Sequence, residues 1–105
     1  MKMIRAVIRP EREEAVLSTL EAAGFPAVPK MDVLGRGKQK GIQVGAAIYD
    51  ELAKTLLMLV VDDAKLPEAI EAIRSGAVTG NPGDGKVIVS PVEEVYTIRT
   101  GQTGL

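Results

Sequence analysis

The sequence predicts an α+β domain in the order strand, helix, strand, strand, helix, strand, with one antiparallel sheet and both helices on one face. Two apolar stripes at helical spacing and one unbroken apolar run, "TLLMLVV" at residues 55–61, carry that prediction. Glycine and proline mark the boundaries between them. At 105 residues the chain reads as one domain, 1–105, with no internal repeat or linker.

Residues 2–9, "KMIRAVIR", set Met3, Ile4, Val7 and Ile8 among Lys2, Arg5 and Arg9, and read as a strand that Pro10 ends. From Glu11 to Ala23, Val16, Leu20 and Ala23 recur at helical spacing, and Leu17 widens the stripe. Glu13, Glu14 and Glu21 are expected to face water, and Gly24 to stop the helix. A second strand is expected over Ala27 to Gly35, with Pro26 and Pro29 marking an edge or an irregular start. Residues 35–54, "GRGKQKGIQVGAAIYDELAK", show no clean period and read as a long loop, the kind of segment that often carries function.

The run at 55–61 reads as a buried central strand. Leu66, Ile70 and Ile73 mark the second helix, with Pro67 in its first turn and Gly76 near its end. "KVIVSPV" is then a strand and "EVYTIRT" a further short one. The arrangement is ferredoxin-like, βαββαβ. It leaves one sheet face uncovered while the central strand is apolar on both sides, so self-association with closed cyclic symmetry is expected.

Composition narrows the function. Hydrophobic residues make up 46% and charged residues 26%, with only Phe25, Tyr49 and Tyr96 as aromatics. A formal net charge of -1 gives no electrostatic footprint for nucleic acid. No apolar run is long enough to span a bilayer, and "MKMIRAVIRPER" lacks the apolar centre of a signal peptide, so a cytoplasmic location is expected. Cysteine is absent, which removes disulfides and thiolate metal sites. Histidine is absent too, and with it every His-based nucleophile or metal arrangement, so the chain reads as a binding protein rather than an enzyme.

Residues 79–89, "TGNPGDGKVIV", match the beginning of the phosphate-loop pattern G-x-x-x-x-G-K-[ST] through Gly80, Gly85 and Lys86. The match stops at Val87, where a magnesium-binding hydroxyl would stand. The context is also reversed, with a helix before the loop and β-branched residues after it. A hydrolase using Asp84 or Glu93 is therefore disfavoured. Two readings of the loop remain open. Gly80, Gly83 and Gly85 permit positive φ and a nest of backbone amides for an anion, with Asp84 capping the turn and Lys86 at the rim. Alternatively, Asn-Pro-Gly-Asp-Gly is a simple connector. At the end of the sequence, Arg99 in "IRTGQTGL" offers a planar fork to a phosphate or belongs to a frayed tail.

Taken together, these segments resemble the PII signal-transduction family of trimeric nitrogen-status sensors. "GRGKQKG" and "DELAK" are similar to the two ends of that family's T-loop, here about 36–53. "TGNPGDGKVIVSPVE" resembles its B-loop, about 79–87, and the strand after it, while "IRTG" resembles its C-loop, about 96–104. The resemblance implies trimers that bind ATP or ADP between subunits. Gly83, Asp84, Gly85, Lys86 and Arg99 would lie around the phosphates with Lys38 near them, and Gly35 and Val60 would border the nucleoside. It further implies that Mg2+ and ATP create a site for 2-oxoglutarate. Gln39 would be a metal ligand there, Gly37, Lys40 and Gly41 would line the site, and Lys54 would pair with the distal carboxylate.

Two positions depart from the family pattern. Thr97 stands where a second C-loop arginine is usual, and Lys38 where a T-loop arginine is, which predicts weaker nucleotide binding or poorer ATP/ADP discrimination. The T-loop is short and lacks the tyrosine that many relatives have uridylylated; no serine or threonine lies between residues 33 and 53. These features look most like the nitrogenase-associated branch, whose members act as paralogous pairs on dinitrogenase, and this chain resembles the first of a pair. The expected assembly is a homotrimer or a hetero-oligomer with a paralogous PII-like chain. The competing expectation is a general PII protein acting on an ammonium transporter or a nitrogen-assimilation enzyme.

Overall fold

The computed structural model describes residues 1–37 and 50–105. In chain order these form β1 (Lys2–Ile8), α1 (Glu13–Ala22), β2 (Lys30–Gly37), β3 (Asp50–Val61), α2 (Leu66–Ala77) and β4 (Gly85–Pro91). The strands lie in the order β2-β3-β1-β4, every pair antiparallel, as a ferredoxin-like sheet requires.

The period-two alternation of β1 and β3 decides where the core sits. Ile4, Ala6 and Ile8 of β1 and Leu57, Leu59 and Val61 of β3 are buried against Val16 and Leu20 of α1 and Ala69 and Ile73 of α2. The helices pack on each other closely because Gly76 of α2 lies over Val16 of α1, where a Cβ would sit 2.8 Å from the Val16 Cα. Thr19 fixes that contact by donating to the Ala72 carbonyl at 2.6 Å. Both helices therefore cover one face. The other carries half-buried Met3, Val7, Leu56, Met58 and Val60, with Met31 and Ile88 each 49% exposed.

Several sequence expectations are corrected in detail. Pro10 to Arg12 form a 3-10 turn, so α1 starts two residues later than expected. Its end is as expected: Gly24 (φ 96) donates to the Glu21 carbonyl and Phe25 to the Leu20 carbonyl, a Schellman closure. Glu13 does not simply face water, because Lys30 Nζ lies 3.0 Å from its carboxylate. β2 begins at Lys30 rather than Ala27, since prolines at 26 and 29 offer no amide to a ladder; the Pro29 carbonyl still accepts from Met58 at 3.1 Å.

The segment read as a loop over 35–54 is shorter than expected. β2 continues to Gly37 and β3 starts at Asp50, pairing through Leu34–Ala53, Gly35–Leu52 and Gly37–Asp50. Residues 94–100 form no strand. Tyr96 and Thr103 make an isolated bridge, which closes a turn in which Thr97 donates to Gln102 and Gly101 to Thr97.

Candidate functional site

Where β1 ends and β4 begins, the turn over residues 79–85 folds around one carboxylate. Asp84 Oδ2 accepts from the amides of Thr79 at 2.8 Å and Gly80 at 2.9 Å. Asp84 Oδ1 accepts from the Thr79 hydroxyl and from Arg9 Nε, the latter at 3.0 Å. The Thr79 hydroxyl holds the Asp84 carboxyl well below the usual carboxylate range, helped by the Thr79 amide, Arg9 and the Gly80 amide against a smaller opposing effect of burial. Asp84 thus acts as the capping residue expected of it. Its carboxylate is committed inside the turn, so what it can offer a ligand is its backbone amide.

Glycine geometry follows the sequence reading. Gly80, Gly83 and Gly85 have φ of 86°, 98° and 108°. At Gly85 the requirement is also steric, because a Cβ there would fall 1.8 Å from the Val7 carbonyl oxygen of β1. Two cations approach the turn, one from just past the end of β1 and one from β3. Arg9 Nη2 donates to the Pro82 carbonyl at 2.7 Å, and Lys54 Nζ to the Gly83 carbonyl at 2.5 Å. Lys86, the second residue of β4, is exposed and in register with Val7. An apolar hollow of about 190 Å³, lined by Ile8, Ile70, Ile73, Ala77 and Val87, backs the turn.

The registers sort the expected site residues into two groups. Gly35, Gly37, Lys54, Gly83, Asp84, Gly85 and Lys86 share one end of the sheet. Val60 pairs with Met3 at the opposite end, eight positions along β3 from the Leu52 that faces Gly35, or about 26 Å of strand. Lys86 stands at the start of β4, and Arg99 lies in the turn that follows its far end. β4 carries the chain away to the Met1 end, where Val92 donates to the Met1 carbonyl, and the turn beyond it closes on itself. Lys38, Gln39, Lys40 and Gly41 lie outside the described residues.

Sequence reasoning missed Arg9 and Thr79. Thr79 had a usable signal, since a hydroxyl five residues before an aspartate in a glycine-rich turn can close that turn. Arg9 had none, because its partners lie more than seventy positions away.

With this geometry in place, resemblance across the whole chain is informative. The family model described as Nitrogen regulatory protein P-II matches residues 1–102. The chain belongs to the nitrogen regulatory P-II family. Among its relatives, a chain of Methanococcus maripaludis named nitrogen fixation nifHD region glnB-like protein 1 is 56% identical, and one of the same description from Methanothermobacter marburgensis is 53% identical. Both alignments cover the whole of both chains. Nitrogen regulatory protein P-II 2 of Methanothermobacter thermautotrophicus is 44% identical over 99% of this chain and 94% of its own. Among solved structures, Arabidopsis thaliana PII bound to citrate superimposes with a TM-score of 0.81 at 35% identity, covering 98% of this chain and 84% of that one.

Proposed function

We propose that this P-II chain is a nitrogen-status sensor that binds ATP or ADP together with 2-oxoglutarate and controls nitrogenase by ligand-dependent protein binding. The observation that carries the reading is the full-length identity to relatives named for the nifHD region. The P-II relationship supports a regulator without catalysis of its own.

The residues suit a nucleotide. Positive-φ glycines, the amides at 83–85 and the Lys86 ammonium form a donor set for phosphate oxygens, and Arg99 supplies a fork. Gly35 and Val60 border the nucleoside, with Lys38 alongside. Because Lys86 stands at the start of β4 and Arg99 in the turn that follows its far end, with Gly35 and Val60 at opposite ends of the sheet, we take the complete cleft to draw residues from two chains. This supports a homotrimer or a hetero-oligomer with a paralogous chain, assembled over the apolar sheet face. Mg2+ would come with the nucleotide and supply charge neutralisation, with Gln39 as its protein ligand. Lys54, already beside the 79–86 turn, would take the distal carboxylate of 2-oxoglutarate, and Gly37, Lys40 and Gly41 would line its site. The citrate in the plant relative is a small polycarboxylate of comparable chemistry. Dinitrogenase is the proposed target in the cytoplasm, and no described helix is long and apolar enough to cross a membrane.

Calorimetric titration with 2-oxoglutarate tests the reading. Heat is expected only when magnesium and ATP are present, and binding of 2-oxoglutarate without nucleotide, or of neither, overturns it. The P-II 2 relative supports a second reading, control of an ammonium transporter or a nitrogen-assimilation enzyme. Co-purification with dinitrogenase under low 2-oxoglutarate separates the two.

A further inference from the structure

We infer that Arg9 is a positioning residue of the phosphate cradle, acting on the Pro82–Gly83 peptide rather than touching ligand. The inference rests on the nucleotide reading above and adds a residue that neither the motif nor the family resemblance assigned.

Arg9 is the residue that follows β1, and its side chain is only 20% exposed. Its guanidinium makes two directional bonds into one turn, Nε to Asp84 Oδ1 at 3.0 Å and Nη2 to the Pro82 carbonyl at 2.7 Å. A third, looser contact reaches Glu11 at 3.9 Å. Among the described residues the peptide bonds are all trans, and in a trans peptide the carbonyl and the following amide point in opposite directions. Drawing the Pro82 oxygen toward Arg9 therefore turns the Gly83 N–H away from it. Lys54 does the same to the next peptide, since its bond to the Gly83 carbonyl turns the Asp84 N–H outward. Among the described residues neither of these two amides has an acceptor. Two cations thus hold two consecutive carbonyls and leave the Gly83 and Asp84 amides turned away from them, available to an anion.

The fork matters here as well as the charge. Asp84 is already tied to the Thr79 and Gly80 amides, so Arg9 links the Pro82 peptide to the fixed part of the turn. Gly83, at φ 98, would otherwise allow that peptide to rotate. A positioning role of this kind lowers the entropy lost on binding phosphate, without a direct contact.

The test compares the full-length protein with Arg9→Gln and Arg9→Lys, measuring dissociation constants for ATP and for adenosine, together with amide NMR spectra of the ligand-free chains. Arg9→Gln should weaken ATP about tenfold, leave adenosine unchanged, and broaden the Gly83 and Asp84 amide signals. Arg9→Lys, which retains one donor to the Pro82 carbonyl, should recover part of both effects. An unchanged ATP constant, or equal losses for ATP and adenosine, overturns the inference. Absence of ATP binding by the native protein would overturn the nucleotide reading. The amide spectra then still decide the positioning claim: unchanged Gly83 and Asp84 signals in Arg9→Gln refute it, and broadening sustains it.

Discussion

Replacing Gly85 by alanine isolates the contact that joins the glycine-rich turn to the sheet. The added Cβ would lie 1.8 Å from the Val7 carbonyl oxygen and 2.8 Å from its carbon, both backbone atoms that no rotamer change can move. Restoring a separation of 3.0 Å requires a shift of about 1.2 Å between β1 and β4, enough to break the Ile8–Gly85 pairing. One or two lost ladder bonds cost about 1 kcal/mol each, and holding an L-residue at φ 108° costs about 1–3 kcal/mol more. The expected loss is about 2–5 kcal/mol, or a fall in Tm of at least about 8 °C for a domain of this size. Gly80→Ala is the control: φ is 86° but a Cβ there meets nothing within 4 Å, so only about 1–2 kcal/mol of strain is expected. Thermal unfolding followed by circular dichroism, with both variants at the same protein concentration, compares them directly, since assembly raises apparent stability. Equal Tm values for the two variants would refute the steric argument.

Three further outcomes follow from contacts elsewhere. Gly76→Ala places a methyl 2.8 Å from the Val16 Cα and should cost about 1–3 kcal/mol in urea unfolding through separation of α1 from α2. Asp84 has a folded pKa below its ordinary 3.8, so its stabilisation is present above that value and is lost as pH falls below it. The stability difference between native protein and Asp84→Asn, measured in urea, should accordingly hold steady above about pH 5 and shrink below about pH 4. Thr97 is exposed and uses its backbone in the turn, so Thr97→Arg should fold normally and tighten ATP binding by calorimetry; no gain would remove the argument from the missing arginine.

The sequence shows the parts of this fold that repeat locally. Helical spacing at Val16, Leu20, Leu66, Ile70 and Ile73 located both helices, and the run at 55–61 located the core of β3. The arms beyond that core were hidden because residues 50–54, Asp-Glu-Leu-Ala-Lys, show no period-two alternation and their pairing partner, β2, is itself rich in glycine and charge. "EVYTIRT" resembled a strand by composition, yet among the described residues it pairs with no strand and makes an isolated bridge between Tyr96 and Thr103. Positive φ at Gly80, Gly83 and Gly85 was legible because the turn chemistry is local. The bonds from Arg9 and Lys54 were not, since each joins residues that the sheet, rather than the sequence, makes neighbours.

That same sheet geometry makes a stronger claim about assembly than exposed apolar area does. If nucleotide needs both Lys86 and Arg99, and one chain holds the first at the start of β4 and the second in the turn beyond its far end, each site is expected to draw these residues from different chains. Lys86→Ala and Arg99→Ala should then each abolish tight ATP binding when purified alone. Coexpressed in equal amounts, they should restore it in part. A site recovers only when the chain supplying position 86 and its neighbour supplying position 99 are both intact there, which random assembly in a ring gives in about one site of four. A cleft built within one chain recovers no sites under the same mixing, because every chain carries one defect. Titration of the mixed assembly with ATP, read as the fraction of tight sites per chain, distinguishes one quarter from zero. Zero recovery would mean that Lys86 and Arg99 do not meet across an interface.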